Sequence, residues 1–599
     1  MGDKSPEKRN SALNIKVNLP EQIEKNTLWI SFFLVLMLTA IAYGAVLRNG
    51  FVWDDETFIV TNSFVHDLSR WPEYFTNSRS VSSDPVLSRM YRPLQTLSFA
   101  IDAALWNNRA GGFHFTSLIL HIASCIAIIF AFRTLVGNKP AFLAACIFAI
   151  HPSLSEGVLS LASRGNQLYA LFGLLSIGFF LRITKPFDLN HIFSTLTLAL
   201  SLFSKEPAIA LIALLPFVQL VSEKPRNIRS MQSVLLYIPF LITAVIYLVM
   251  RSMVVEAIKV IPYWGGSLWA TLQMQSKVFV IYLRLLLWPF ILKGRYTIAL
   301  PASFPDPFVT GAVLLNLALI IFGIFIYRRG SKGKLIALAI AWFYVSLAPV
   351  SNLIPVPGSM MGERFLYFTF AGVIPLLAGA LQDINWKRFQ YTVLIFGIGL
   401  SAVWLAKDIL RTSDWRDNSR FFAVLSKQEP DNPVVQLWIA QEELASQNTA
   451  SALNRIERIM QIENTAPLPE DRAKLHYWYG KALLDSNRPR DAYREFSIVV
   501  KLKQGSPTDI VLLLAESAAR SGELETARSI LEKEIKSSPK DDFLWNGLGN
   551  ALMMTGDISG AISSYKQAVE INPRNSEAAV NLQNAFKAKP PSNTYQSNR

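Results

Sequence analysis

Between about Leu28 and Ala406 the chain returns repeatedly to long apolar runs separated only by short charged gaps. A run of about twenty apolar residues, wound as a helix, covers the ~30 Å hydrocarbon core of a bilayer. From about Lys407 onward charge is spread evenly and no run approaches that length. The expected fold is therefore all-α and in two parts: a polytopic membrane helix bundle crossing about eleven times, then a water-soluble helical domain. Charged residues make up 17% of the 599 positions, below the roughly 25% of an average soluble protein. The net charge of +14 would point a soluble chain toward nucleic acid. Here many of the basic residues lie between apolar runs, where Lys and Arg hold loops on the cytoplasmic side, so the lipid bilayer and not nucleic acid is the expected partner. Cys125 and Cys146 sit inside apolar runs and imply neither a disulfide framework nor a metal site. Leu28–Leu47 exceeds the apolar core of a usual signal peptide and is followed by further runs, which makes it an uncleaved first span.

The basic residues set a topology. Lys4, Lys8, Arg9, Lys16 and Lys25 place the tail, residues 1–27, in the cytoplasm. The transmembrane domain, 28–409, then opens with a long outer loop, 49–113. Later basic gaps at Arg133/Lys139, Arg182/Lys185, Lys224/Arg226/Arg229, Arg328/Arg329/Lys332/Lys334 and Lys387/Arg388 fall on the inner side. Residues 271–292 are apolar but hold Lys277, Arg284 and Pro289, with Lys293 beside them. Counting them as a span would export the Arg328–Lys334 cluster, so they read as a re-entrant or interfacial helix pair on the outer side. A linker (410–429), a repeat domain (430–586) and a disordered tail (587–599) then follow outside, in the periplasm if the membrane is a bacterial inner membrane.

The repeats are visible in the last third. Trp545, Leu548, Gly549, Leu552, Gly556, Ala561, Tyr565, Ala568 and Pro573 follow the roughly 34-residue tetratricopeptide pattern. Small Gly549 and Ala561 belong where paired helices touch, large Trp545 and Tyr565 fill the gaps, and Pro573 ends the second helix. Earlier copies carry Ala515, Gly522, Ala527, Leu531 and Pro539; then Tyr479, Gly480, Leu483, Ala492 and Phe496; then Trp438, Ala440, Ala452 and Ile456. About four units suffice for a stacked solenoid with a concave binding face.

With this topology several polar sequences meet at the outer ends of the spans. Trp53-Asp54-Asp55-Glu56 follows span one, and adjacent carboxylates raise each other's pKa, which suits one of them to be a general base. Tyr91-Arg92-Pro93-Leu94 and Asp102 lead to Phe113-His114 and His121. His151-Pro152-Ser153-Leu154-Ser155-Glu156 leads to Ser163-Arg164-Gly165-Asn166, and Arg164 has the planar fork that pairs with two phosphate oxygens. Ser204-Lys205-Glu206 and Glu363-Arg364-Phe365-Leu366-Tyr367 complete the set. Singly, each has an ordinary explanation as a solvated loop, a helix cap or an internal ion pair. Together they describe a site for an anionic lipid-borne group and its acceptor.

In this order the motifs resemble those of the TMTC proteins, transmembrane O-mannosyltransferases of the GT-C superfamily with C-terminal tetratricopeptide repeats. With fewer repeats than the animal members, the chain looks like a bacterial relative. The resemblance implies an enzyme that moves a sugar, mannose-like, from a polyprenyl phosphate to Ser/Thr hydroxyls of an acceptor protein or peptide, with inversion. By it, Asp54 and Asp55 are the catalytic carboxylates. Arg164, Lys205, Arg364, His151, Glu156, Glu206, Glu363, Tyr367, Arg92 and His114 are donor-phosphate or substrate residues; the acceptor lies on the concave face of the repeats. It fixes no cofactor and leaves a divalent metal open. Arg295-Tyr296 departs from the pattern, since the family often has an acidic residue before that tyrosine. The alternative is a non-enzymatic membrane scaffold whose repeats recruit partners, but an anchor needs one span. A transporter would want ionisable groups at mid-membrane and inverted repeats, and neither is present.

Overall fold

The structure, a computed structural model, describes residues 21–83, 90–222, 231–255, 263–296, 298, 306–355, 360–381, 386–461, 469–502, 508–573 and 575–588. Most of the predicted cytoplasmic tail, the Lys224/Arg226/Arg229 gap and the tail beyond 588 lie outside them. Every regular element among the described residues is helical. The chain divides into two units: 1–261, 272–292 and 301–417 form the first, and 262–271, 293–300 and 418–599 the second.

The first unit turns its apolar residues both inward and outward. Its inner helices, Ala110–Val136, Asn138–Ile150 and Arg164–Phe180, pack through small residues: Ala127, Ala131, Ala141, Ala144, Ala145 and Ala149 are all buried. A side chain at Gly178 would meet the Phe130 ring. On Val234–Val254 and Pro307–Ile326 the outer face shows Leu241, Ile242, Val245, Ile246, Leu314, Ile321, Ile324 and Phe325. A surface that apolar suits lipid and not water. Among the described residues five helices are long and apolar enough to cross a membrane, or six with one bent pair. The expected helix pair at 271–292 is instead one unbroken helix, Leu268–Leu287, 20 residues long. Pro289 falls beyond its end and so has nothing to break.

The bent pair positions the site. Asn138–Ile150 stops at His151 because Pro152 lacks the N–H that would continue it, and the chain resumes at 62°. Two short 3₁₀ turns, Pro152–Leu154 and Leu161–Ser163, flank the helix Ser155–Leu159 before Arg164–Phe180 begins. Every residue from 151 to 170 is buried, so this broken segment lies inside the bundle.

The second unit holds an α-solenoid of helix pairs: Pro433–Ala445 with Thr449–Gln461, Pro469–Asp485 with Pro489–Leu502, Thr508–Arg520 with Leu524–Ser537, and Asp542–Thr555 with Ile558–Ile571. Ser576–Ala588 follows. Ala452, Ala492, Ala527 and Ala561, one in the second helix of each pair, have no exposed surface. A Cβ at Gly549 would strike the Tyr565 ring and one at Gly480 would lie 2.8 Å from Phe496, so glycine is what lets the paired helices touch. Gly556 ends its helix at φ +83°, a conformation side chains resist. Gly549→Val should therefore destabilise the solenoid by about 1–3 kcal/mol. Gly311→Ala, which meets open space, should stay within about 0.5 kcal/mol. Heat denaturation of both variants checks this.

Candidate functional site

Asp54 and Asp55 are made different by the backbone beneath them. Trp53 takes a left-handed conformation, φ 57°, and the turn brings the Val52 N–H onto Asp55 Oδ2 at 3.0 Å. The other oxygen accepts from the Ala162 N–H at 2.7 Å, tying the first outer loop to the broken segment. Asp55 has no exposed surface. Burial pushes its carboxyl up to about 7, against the two N–H donors and with some help from the Asp54 charge. Asp54 is only half-buried and lies within electrostatic reach of the Arg364 guanidinium. Glu56 is exposed and opens the short helical turn Glu56–Val60.

Two arginines and a lysine form a cluster, of which Arg364 is within electrostatic reach of Asp54. Arg92, capping the helix Pro93–Trp106, pairs with Glu206 at 2.9 Å, and Glu206 also accepts from the Tyr91 N–H at 3.1 Å. Arg364 pairs with Glu156 at 2.5 Å, while its own N–H binds the second Glu156 oxygen at 2.9 Å. Lys205 lies within electrostatic reach of both arginines and both glutamates. Its Nζ donates to Asn166 Oδ1 at 2.9 Å, its ammonium sits 5.6 Å over the Phe365 ring, and it forms no ion pair among the described residues. The cluster thus holds two ion pairs and one amine that burial pushes well below the ordinary lysine value. It stays partly open: the side chain of Arg364 is 18% exposed and that of Glu206 27%.

Other predicted residues are enclosed. Arg164 has no exposed surface; it pairs with Asp102 at 2.5 Å, donates to the Phe113 carbonyl at 2.7 Å and lies over the Phe99 ring at 4.7 Å. Asp102 also accepts from Thr116 at 2.7 Å. His151 bonds Ser153 at 2.8 Å and packs between Phe370 and Trp404. The hydroxyl of Tyr367 donates to His121 Nδ1 at 2.7 Å, and His121 Nε2 donates to the Ala149 carbonyl at 3.2 Å. His114 donates to the Gly50 carbonyl at 3.3 Å. Glu363 is buried on Arg411 at 2.7 Å.

The sequence alone singles out neither Arg411 nor Asn49, and Asn166 only as a member of the motif that holds Arg164. Arg411 follows the last apolar run, where its charge reads as the start of the soluble part, yet the helix Trp386–Asp414 carries it on. In the second unit Lys293 pairs with Glu429 at 2.5 Å, and the Gly294 N–H donates to Gln428 at 3.1 Å. Arg295 lies 4.7 Å over the Trp438 ring, so the departing residue has an aromatic partner. Among the described residues no group of three His, Cys, Asp or Glu side chains is placed to hold a metal ion.

Comparison with known proteins gives three results. Tetratricopeptide-repeat models match residues 479–542 and 543–575. The chain is also 22% identical to the protein O-mannosyl-transferase TMTC3 of Mus musculus, over 92% of this chain and 64% of that protein. It is 25% identical to TMTC4 of Homo sapiens, over 65% of this chain and 61% of that one. It thus spans just under two thirds of the length of the curated relatives it matches. Among solved structures, a thermophilic tetratricopeptide-repeat protein of Thermus thermophilus matches at 16% identity and a TM-score of 0.24, over 33% of this chain and 98% of that one. The chain is a distant relative of the eukaryotic TMTC O-mannosyltransferases.

The Asp55 environment predicts a pH dependence. Its folded pKa of about 7 stands above the ordinary aspartate value of 3.8, so the folded state holds this proton more tightly than the unfolded chain. Its contribution to stability is full below about pH 4, lost progressively toward about pH 7, and amounts to something on the order of 4 kcal/mol. Melting temperatures between about pH 5 and 7 should fall in the native protein and fall less steeply in Asp55→Asn. Equal slopes would refute the assignment.

Proposed function

We propose that the protein is an integral-membrane glycosyltransferase moving a mannose-like sugar from a polyprenyl phosphate to Ser/Thr hydroxyls of exported proteins. The observation that carries this is the pairing of a half-open carboxylate, Asp54, with the cation-rich cluster of Arg92, Lys205 and Arg364. The distant likeness to O-mannosyltransferases supports it.

Asp54 takes the proton of the acceptor hydroxyl as that oxygen attacks the anomeric carbon. The bond from that carbon to the phosphate oxygen breaks, and the configuration inverts. The polyprenyl phosphate leaves with its electron pair, so no covalent enzyme intermediate forms. Arg364 and Lys205, with Arg92 beside them, meet the charge that develops on the phosphate; fixed cations in a dry site serve this better than water. Asp55 acts differently: with both oxygens on backbone N–H groups, it holds the loop so that Asp54 points outward. Glu156 and Glu206 orient the arginines. Arg164, His151, His114 and Tyr367 hold the bundle around the site.

In this reading the bundle crosses about eleven times, the N-terminus is cytoplasmic, and the site and repeats face the periplasm of a bacterial inner membrane. The repeats present the acceptor on their concave face.

Asp54→Asn should lower kcat for transfer from polyprenyl-phosphate mannose to a peptide by on the order of 10²–10⁴, with donor KM nearly unchanged. Turnover within about threefold of the native rate, far short of a base's usual share, would remove Asp54 from this role. For topology, cysteines placed at 420 and 590 should react with an impermeant maleimide once the outer membrane alone is opened. Labelling only after inner-membrane lysis would invert the arrangement.

A further inference from the structure

Glu363 and Arg364 are neighbours with opposite charges and opposite partners. Arg364 turns toward Glu156 in the cluster (2.5 Å), whereas Glu363 turns away to Arg411 (2.7 Å). Both members of the second pair are enclosed, Arg411 at 7% and Glu363 at 0% side-chain exposure. Asp408, one turn before Arg411, is wholly buried and lies within electrostatic reach of the same guanidinium. The same helix end also grips the other half of the site. The Asn49 amide donates to the Thr412 and Trp415 carbonyls at 2.9 and 2.8 Å, and the Gly50 N–H donates to the Arg416 carbonyl at 2.9 Å. Carbonyls of a last helical turn have no partner within their helix. Here the loop that carries Asp54 supplies it.

We infer that the end of the Trp386–Asp414 helix positions both arms of the site, with Arg411 setting Arg364 in place through Glu363 and Asn49 setting the Asp54 loop. The inference rests on the transfer reading above. It adds two positioning residues that touch no reacting atom, and it assigns them different consequences. Loss at 411 acts on the donor phosphate, because Arg364 is what moves. Loss at 49 acts on proton removal, because the base loop is what moves. Lysine at 411 keeps the charge but not the planar guanidinium that sets the direction of the contact with Glu363.

The test compares Arg411→Lys, Glu363→Gln and Asn49→Ser in the full chain in lipid nanodiscs, with polyprenyl-phosphate mannose as donor and a Ser/Thr peptide as acceptor. Arg411→Lys should raise donor KM about tenfold, the scale expected of a sub-ångström displacement, and leave kcat within about threefold. Glu363→Gln should do the same, and the double variant should be no worse than either alone, since both act through one contact. Asn49→Ser should lower kcat about tenfold and spare donor KM. Unchanged kinetics in Arg411→Lys would overturn the inference. So would parallel losses of kcat and affinity that track a lowered melting temperature, the mark of a merely architectural pair. Native protein that transfers no sugar from any polyprenyl phosphate would remove the functional reading and this inference with it. Normal transfer with unmoved variant kinetics would remove the inference alone.

Discussion

The guanidinium of Arg164 has no exposed surface, and everything that satisfies it comes from other parts of the chain: Asp102 at 2.5 Å, the Phe113 carbonyl at 2.7 Å, and the Phe99 ring beneath. A charge removed from water costs several kcal/mol unless it is paired and hydrogen-bonded. The helix Pro93–Trp106, the start of Ala110–Val136 and the start of Arg164–Phe180 must therefore stay in register for the charge to be tolerated at all. Hydrophobic contact alone would not impose this, since in lipid a leucine gains little by facing another leucine. The broken segment 151–170 hangs on that register, and through the Ala162 N–H so does Asp55.

Burial separates arginines that look equivalent as letters. Arg164 and Arg411 have almost no surface left and are each paired with an enclosed carboxylate, while Arg364 keeps part of its side chain open. Lys205 is enclosed to a degree between those of Arg164 and Arg411, but its amine donates to a neutral amide. A buried ammonium without a paired carboxylate is expensive, so burial disfavours the charged form of this amine.

Much of the architecture is legible in the residues. The apolar runs announce helices in lipid, and Gly549, Ala561 and Tyr565 announce the repeat because only one packing suits such sizes at such spacing. The motifs at 54, 92, 156, 205 and 364 do converge in the first unit. What stays hidden depends on direction. Nothing in the letters Asp-Asp says which side chain turns inward; the left-handed Trp53 and a distant Ala162 N–H decide it. Arg164 reads as a phosphate anchor in the sequence because its counter-ion, Asp102, stands on another helix. Lys277, Arg284 and Pro289 suggest a break within 271–292, yet Lys277 reaches Asp306 at 4.0 Å and the helix runs unbroken past both basic residues to Leu287.

The contact between Glu363 and Arg411 joins positions 48 residues apart, and both side chains are enclosed. Removing either charge alone strands the other, whereas removing both can cost little. Sequence drift at such a place is blocked one step at a time and open only to compensated pairs. Two stretches of chain with no shared helix are thereby bound to a common evolutionary history.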